Sequence, residues 1–216
     1  MINFKTISAI ALTAAVVAIA PIGNAEAALI TGVTVSTDMK SFGGYDIQNI
    51  VNGSGLDSLS LTATHADVTP TNSWASSFET PTGTIDFNLN GQHSLQGFSI
   101  WNNADNTFGI QGVTISTSID GSTCTALSGA PTQFAQGANG AEAAQQFAFA
   151  PTQANYVRFN VLSNYGAFAT TLSEVQFDGT SATAPTAVPT PALLSGLIGL
   201  GVAALRKRKA EAASKA

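Results

Sequence analysis

Residues 85–89 read Ile-Asp-Phe-Asn-Leu, and residues 156–161 read Tyr-Val-Arg-Phe-Asn-Val. In both, apolar side chains recur at every second position. On an extended chain this puts them on one face and the polar residues on the other. The period fits a half-buried strand and not a helix, whose apolar positions recur every three or four residues. Outward from these stretches the alternation continues through Val33 and Val35, Leu59, Leu61 and Ala63, Phe98 and Ile100, and Val113 and Ile115. Phe147 and Phe149 precede the second stretch, and Leu172, Val175 and Phe177 close the series. Asn52-Gly53, Asn90-Gly91, Asp120-Gly121 and Asp178-Gly179 are the expected turns between strands, since Asn, Asp and Gly adopt positive φ at little cost. Gln136 to Gln146 is Ala-rich, but Gly137 and Gly140 argue for a loop with at most one helical turn. Many short strands within residues 28–180 predict an all-β domain, a sandwich or jelly roll.

The flanks are composed differently. Residues 1–27 carry Lys5, an apolar run from Ile7 to Ala20, and then Pro21. Ala25 and Ala27 are small residues at the two positions a signal peptidase reads, so residues 1–27 are expected to form a signal helix, removed before Ala28. Residues 181–191 are rich in Pro, Thr and Ala and predict an extended linker. Ala192 to Leu205 is uncharged and is expected to form a short transmembrane helix of about 21 Å, against a hydrocarbon core of about 30 Å. Residues 206–216 open with Arg206, Lys207, Arg208 and Lys209, a basic tail that holds this end in the cytoplasm.

Pro189, Thr190, Pro191 and Ala192, followed by the Leu/Gly helix and the basic block, resemble a PEP-CTERM sorting signal, in particular its cyanobacterial PTPA variant. Thr190 stands where the commoner motif has Glu. The resemblance implies an exosortase-like sorting enzyme as partner. The chain would be exported through the inner membrane, anchored transiently, and then delivered to the cell envelope or the outside. An anchor that is never cut is the alternative.

Charge divides along the same boundaries. The chain has 10% charged residues and a net charge of -5. Residues 28–184 hold only two basic residues, Lys40 and Arg158, against eleven carboxylates. So acidic a body has no basic surface with which to displace phosphate counterions, which excludes nucleic acid as a partner. With Cys124 the only cysteine, an intrachain disulfide and a multi-thiolate zinc site are excluded. There is no Gly-x-Ser-x-Gly elbow, His-Glu-x-x-His helix or phosphate-cradling glycine loop, so the chain is read as non-catalytic. His65 and His93 lie in polar, turn-rich stretches and are read as solvated; Cys124, after the Asp120-Gly121 turn, is read as half-buried.

Residues 45–56, Tyr-Asp-Ile-Gln-Asn-Ile-Val-Asn-Gly-Ser-Gly-Leu, resemble the first loop of discoidin, or F5/8 type C, domains. Trp74, the Ile85–Leu89 strand, Val113-Thr114-Ile115-Ser116 with Asp120-Gly121, Tyr156-Val157-Arg158-Phe159 and Leu172-Ser173-Glu174 follow in that family's order. The resemblance implies a galactose-binding-like β-sandwich jelly roll with a binding function. It also implies a structural calcium ion between the first loop and the C-terminal Glu. That set is Asn52, where the family has Asp, with Asp57 and Glu174.

Carbohydrate recognition needs an aromatic platform and flanking amides that donate and accept in fixed directions. Trp101, Asn102 and Asn103 run from a strand end into a loop, and Asn164 and Tyr165 precede the last strands. These five are the candidate ligand residues. Trp74 is read as core beneath the first loop, and Arg158 as structural, paired with a buried carboxylate or a carbonyl. The expected function is recognition of carbohydrate or exopolysaccharide at a cell surface or matrix. A structural matrix protein without a small ligand is the alternative.

Overall fold

The computed structural model describes residues 28–102 and 107–182. The signal sequence with Ala25 and Ala27, Asn103, the motif Pro189 to Ala192 and the apolar helix behind it lie outside the described residues.

β1 (Ala28–Leu29), β2 (Thr34–Thr37), β3 (Thr64–His65) and β4 (Trp74–Ala75) lead to β5 (Gly83–Trp101), a strand of 19 residues. β6 (Ile110–Ser118), β7 (Thr125–Ala126) and β8 (Glu142–Ala143) lead to β9 (Gln145–Asn164), of 20 residues. β10 (Thr171–Leu172) and β11 (Glu174–Ser181) close the domain. A 3-10 helix, Ile47–Val51, follows Asp46, whose carboxylate accepts from the Gln48 N–H.

β5 and β9 pair antiparallel along most of their length, from Gly83 opposite Val161 to Ile100 opposite Gln145. Their register shifts between Asn88 and His93 and again between Leu95 and Gly97, and such irregularities bend a ribbon. β2 pairs with the first half of β5, and β6 with the second half of β9; β11 pairs with the second half of β5, and β1 with β11. A single hydrogen-bonded sheet thereby supplies both layers of a sandwich. Rings from the two halves meet in the core: Phe87 lies 5.1 Å from Phe177, and Phe98 lies 5.3 Å from Phe159, between centroids. Ile85, Phe87, Leu89, Val157, Phe159 and Val161 are all buried, as the alternation predicts. Each such side chain contributes about 1.5–3 kcal/mol on leaving water.

Three expectations are corrected. Asn90-Gly91 does not end a strand. Its positive φ values, 56° and 135°, turn the corner inside β5, where the ribbon passes between layers. Asp178-Gly179 likewise lies within β11, at a register shift where a Cβ on Gly179 would stand 2.7 Å from the Ser94 carbonyl oxygen. Leu59, Leu61 and Ala63 form no strand before β3. Leu59 is 70% exposed, and the segment crosses the outer side of β5, where the Leu61 carbonyl accepts from Ser99 Oγ and Gln146 Nε2. Its partners are side chains rather than a backbone ladder, and apolar period alone does not distinguish the two.

Candidate functional site

The end of β2, the start of β5, the start of β6 and the end of β9 share one edge, because Thr37 pairs with Ile85, Gly83 with Val161 and Ile110 with Asn164. The connections leaving this edge each carry a phenylalanine: Phe42, Phe78, Phe108 and Phe168. Phe42 and Phe78 stack at 5.0 Å and 19°, Phe168 meets Phe78 edge-on at 4.5 Å, and Phe108 meets Phe168 at 5.3 Å and 90°. Phe78 is 56% and Phe168 57% exposed. With Tyr45, Val68 and Ser76 they surround an open cavity of about 190 Å³ that bears no charged side chain. Thr171 also lines it, and the Thr171 hydroxyl is buried without a hydrogen-bond partner among the described residues. A contiguous aromatic patch of this kind in water marks a binding surface.

The described residues singled out from the sequence border these connections, but their side chains are committed to main-chain partners. The Asn102 amide donates to the Ile110 and Ala135 carbonyls, both at 2.8 Å, and accepts from the Ile110 N–H at 2.9 Å. This buried clamp ties the end of β5 to the start of β6, close to Phe108. Asn164 donates to the Ala167 and Ala169 carbonyls at 2.9 and 2.7 Å and accepts from the Gly166 N–H, folding the loop that presents Phe168. The Tyr165 hydroxyl donates to the Phe134 carbonyl at 2.6 Å. Trp101 is no platform: it is fully buried, and its indole N–H donates to the Ala63 carbonyl at 2.9 Å. Its side chain does leave the outer side of β5, but the 56–63 segment covers it. Trp74 is core as expected, donating to Ser41 Oγ at 2.9 Å beneath the loop of Phe42. The missed phenylalanines did leave a signal. Phe42, Phe78 and Phe168 have no apolar residue two positions away on either side, so no strand face claims them.

Around the first loop, Glu174 is buried, and both its oxygens lie 3.2 Å from the single N–H of Gly53. Burial pushes its carboxyl up to about 8, partly opposed by that N–H. Asn52 and Glu174 line one cavity of about 210 Å³, and Asn52 Oδ1 accepts from the Ser54 N–H. Asp57 does not join them; it caps its own loop, accepting from the Thr64 N–H and Ser58 Oγ. No cluster of three or more His, Cys, Asp and Glu occurs among the described residues. A buried carboxylate with one shared donor suits a cation, with Asn52 and main-chain carbonyls as further oxygens. Within the predicted set, Glu174 and Asn52 fit and Asp57 does not.

Three other readings change. His65 is buried rather than solvated: Nδ1 lies 2.6 Å from the Ala66 carbonyl, and Nε2 lies 3.0 and 3.1 Å from those of Ser54 and Asn72. Cys124 is exposed rather than half-buried, because the Asp120 turn carries it out of the sheet. Arg158 is paired, as expected, but with a carboxylate that is itself part-exposed, Asp86.

Two layers sharing bent strands, with loops gathered at one end, define a galactose-binding-like β-sandwich. The F5/8 type C domain profile matches residues 33–175, and the chain belongs to that family. Among solved structures, a family 32 carbohydrate-binding module from Clostridium perfringens NanJ, in complex with galactose, is similar at TM-score 0.53 and 12% identity, over 70% of this chain and 98% of that one. A CBM32 module from a family 31 glycoside hydrolase of the same organism is similar at TM-score 0.52 and 10% identity, over 69% of this chain and 95% of the other. A family 89 glycoside hydrolase of Clostridium perfringens is similar at TM-score 0.50 and 18% identity, over 71% of this chain; the match spans only 15% of the hydrolase. At such identities the likeness is one of fold. No curated protein matches.

Proposed function

We propose that the domain is a non-catalytic carbohydrate-binding module whose ligand packs on the phenylalanine cluster at the loop end. The observation that carries this reading is the convergence of Phe42, Phe78, Phe108 and Phe168, from separate connections, around a cavity with an unpartnered Thr171 hydroxyl. The C–H face of a sugar ring packs on the negative faces of aromatic rings, and the hydroxyl supplies a directional contact. Without a charged side chain in the lining, neutral sugars are favoured. The galactose-complexed module of the same fold supports this choice of ligand class. A glycan array probed with the full-length protein and with Phe78→Ala and Phe168→Ala tests it. Binding is expected to weaken about tenfold or more in each variant, with melting little changed. Absence of binding to any glycan, with and without calcium, overturns it in favour of a structural matrix protein.

The same reading includes a structural calcium ion held by Glu174 and Asn52 with main-chain carbonyls of the first loop. A buried carboxylate lacking a cationic partner among the described residues supports it. A chelator is expected to lower the melting midpoint, and an unchanged midpoint removes the ion from the account. It further includes export and exosortase-like processing, supported by the apolar and basic segments at the two ends. Intact mass of protein recovered from the medium should place the ends at Ala28 and near Pro189 to Ala192. Full-length chain dissolved in the cytosol contradicts this.

A further inference from the structure

The outer face of the β2–β5–β9–β6 layer carries a second depression of a different chemistry. Strand register aligns Ser36, Asp86, Arg158 and Ser116 in one row, and Thr34, Asn88, Tyr156 and Ser118 in the next. The turn after β6 closes over one end. Asp120 Oδ1 accepts from the N–H groups of Ser122 and Thr123 at 2.8 and 2.7 Å and from Ser118 Oγ at 2.9 Å, which folds the turn back. Gly121, at φ +75°, then lies against Tyr156, and a Cβ there would stand 3.2 and 3.3 Å from ring atoms Cε2 and Cζ. The result is a groove of about 320 Å³, a size suited to a small ligand, for which about 300 Å³ is the usual lower bound.

On its floor Arg158 forks onto Asp86, Nε to Oδ1 at 2.6 Å and Nη2 to Oδ2 at 2.8 Å. The two side chains are 41% and 35% exposed, and an ion pair so wetted contributes only about 0–1 kcal/mol to the fold. Its effect is to fix directions. A guanidinium has five N–H donors and a carboxylate about four lone-pair sites, so the fork leaves three donors and about two acceptor sites uncommitted. The Tyr156 hydroxyl makes no hydrogen bond to a described residue and stands in the same groove. The pair is neutral as a unit, and Asp120, whose carboxyl its hydrogen bonds hold well below the usual carboxylate range, keeps the neighbourhood acidic.

We propose that this groove is a second saccharide site, taking a neutral sugar whose adjacent hydroxyls bridge the Asp86 acceptors and the Arg158 donors. Acidic polymers are repelled by Asp120 at the neighbouring turn and by the excess of carboxylates over residues 28–184, and a purely apolar ligand would leave the fork unsatisfied. The site shares no residue with the aromatic cavity and does not depend on it. Two sites on one domain would let a single molecule hold two chains of a polysaccharide, raising avidity without tighter individual contacts.

Amide NMR shifts of the full-length ¹⁵N-labelled protein, titrated with lactose, cellobiose or digalacturonate, test this. At least one neutral disaccharide is expected to shift the amides of Asn88, Tyr156, Ser118 and Cys124, with dissociation constants of order 1 mM. Ser36→Trp, at an exposed position in the row, should weaken those shifts about tenfold and leave any Phe168 response intact. Phe78→Ala should do the reverse, so failure of either site is seen separately. No groove shift with either neutral sugar, or a response to digalacturonate alone, overturns the proposal.

Discussion

Trp101 and Phe108 stand near the two ends of one connection and meet opposite fates. Trp101 is the last residue of β5, paired in register with Glu174 of β11, and is fully buried. Phe108, two residues before β6, is only part-buried and meets the ring of another loop residue, Phe168, edge-on. A side chain still in register has strand neighbours and can be covered by a passing segment, as residues 56–63 cover the indole. A side chain beyond the last pair has only other loops to meet. The buried aromatic corner therefore serves the fold, and the solvent-facing cluster is free to serve a ligand.

The sharpest way to break this comparison is Trp101→Ala. It should cost about 3–5 kcal/mol and lower the melting midpoint strongly, while sugar affinity per folded molecule stays unchanged. Affinity lost at constant melting would reverse the two regions' roles. Glu174, beside that corner, comes next. Its carboxyl is raised to about 8 from 4.5, so the folded chain keeps a proton that the unfolded chain releases. Its contribution is fully present below about pH 4.5 and declines as pH rises to about 8. With chelator present, denaturant titrations should show stability falling across that interval by several kcal/mol, and Glu174→Gln should remove most of the slope, leaving the part due to Asp178, whose carboxyl burial also raises. At the loop end, Asn164→Ala frees the Ala167 and Ala169 carbonyls. It should cost about 1–2 kcal/mol and weaken sugar binding severalfold by loosening Phe168. Smallest is Tyr165→Phe, about 1 kcal/mol of stability with affinity unaltered, read by paired melting and calorimetry.

The sandwich was legible because its inward residues alternate cleanly, and Ile85, Phe87 and Leu89 needed only their own spacing to declare a face. What spacing could not convey is where a strand stops. Asn90-Gly91 carries hairpin chemistry yet turns a corner, because pairing with β9 resumes beyond it. For the candidate site, the amides and rings near the strand ends were legible but not the partners their side chains would take. Asn102 and Asn164 have the amides a sugar would want, and the backbone reached those amides first. Trp101 has the ring, and Ala63 lies 38 residues upstream, a contact no local pattern encodes. The phenylalanines could have been found by asking which aromatics lacked an alternating partner.

That β5 and β9 run through both layers also bears on how the chain finds its shape. Their pairing joins residues separated by more than forty positions, Ile100 with Gln145 at the least and Gly83 with Val161 at the most. Neither layer can be completed while that ribbon is missing, so the entropy of closing a long loop must be met before most of the core is rewarded. Slow, single-phase refolding with no half-formed layer is the kinetic signature to expect.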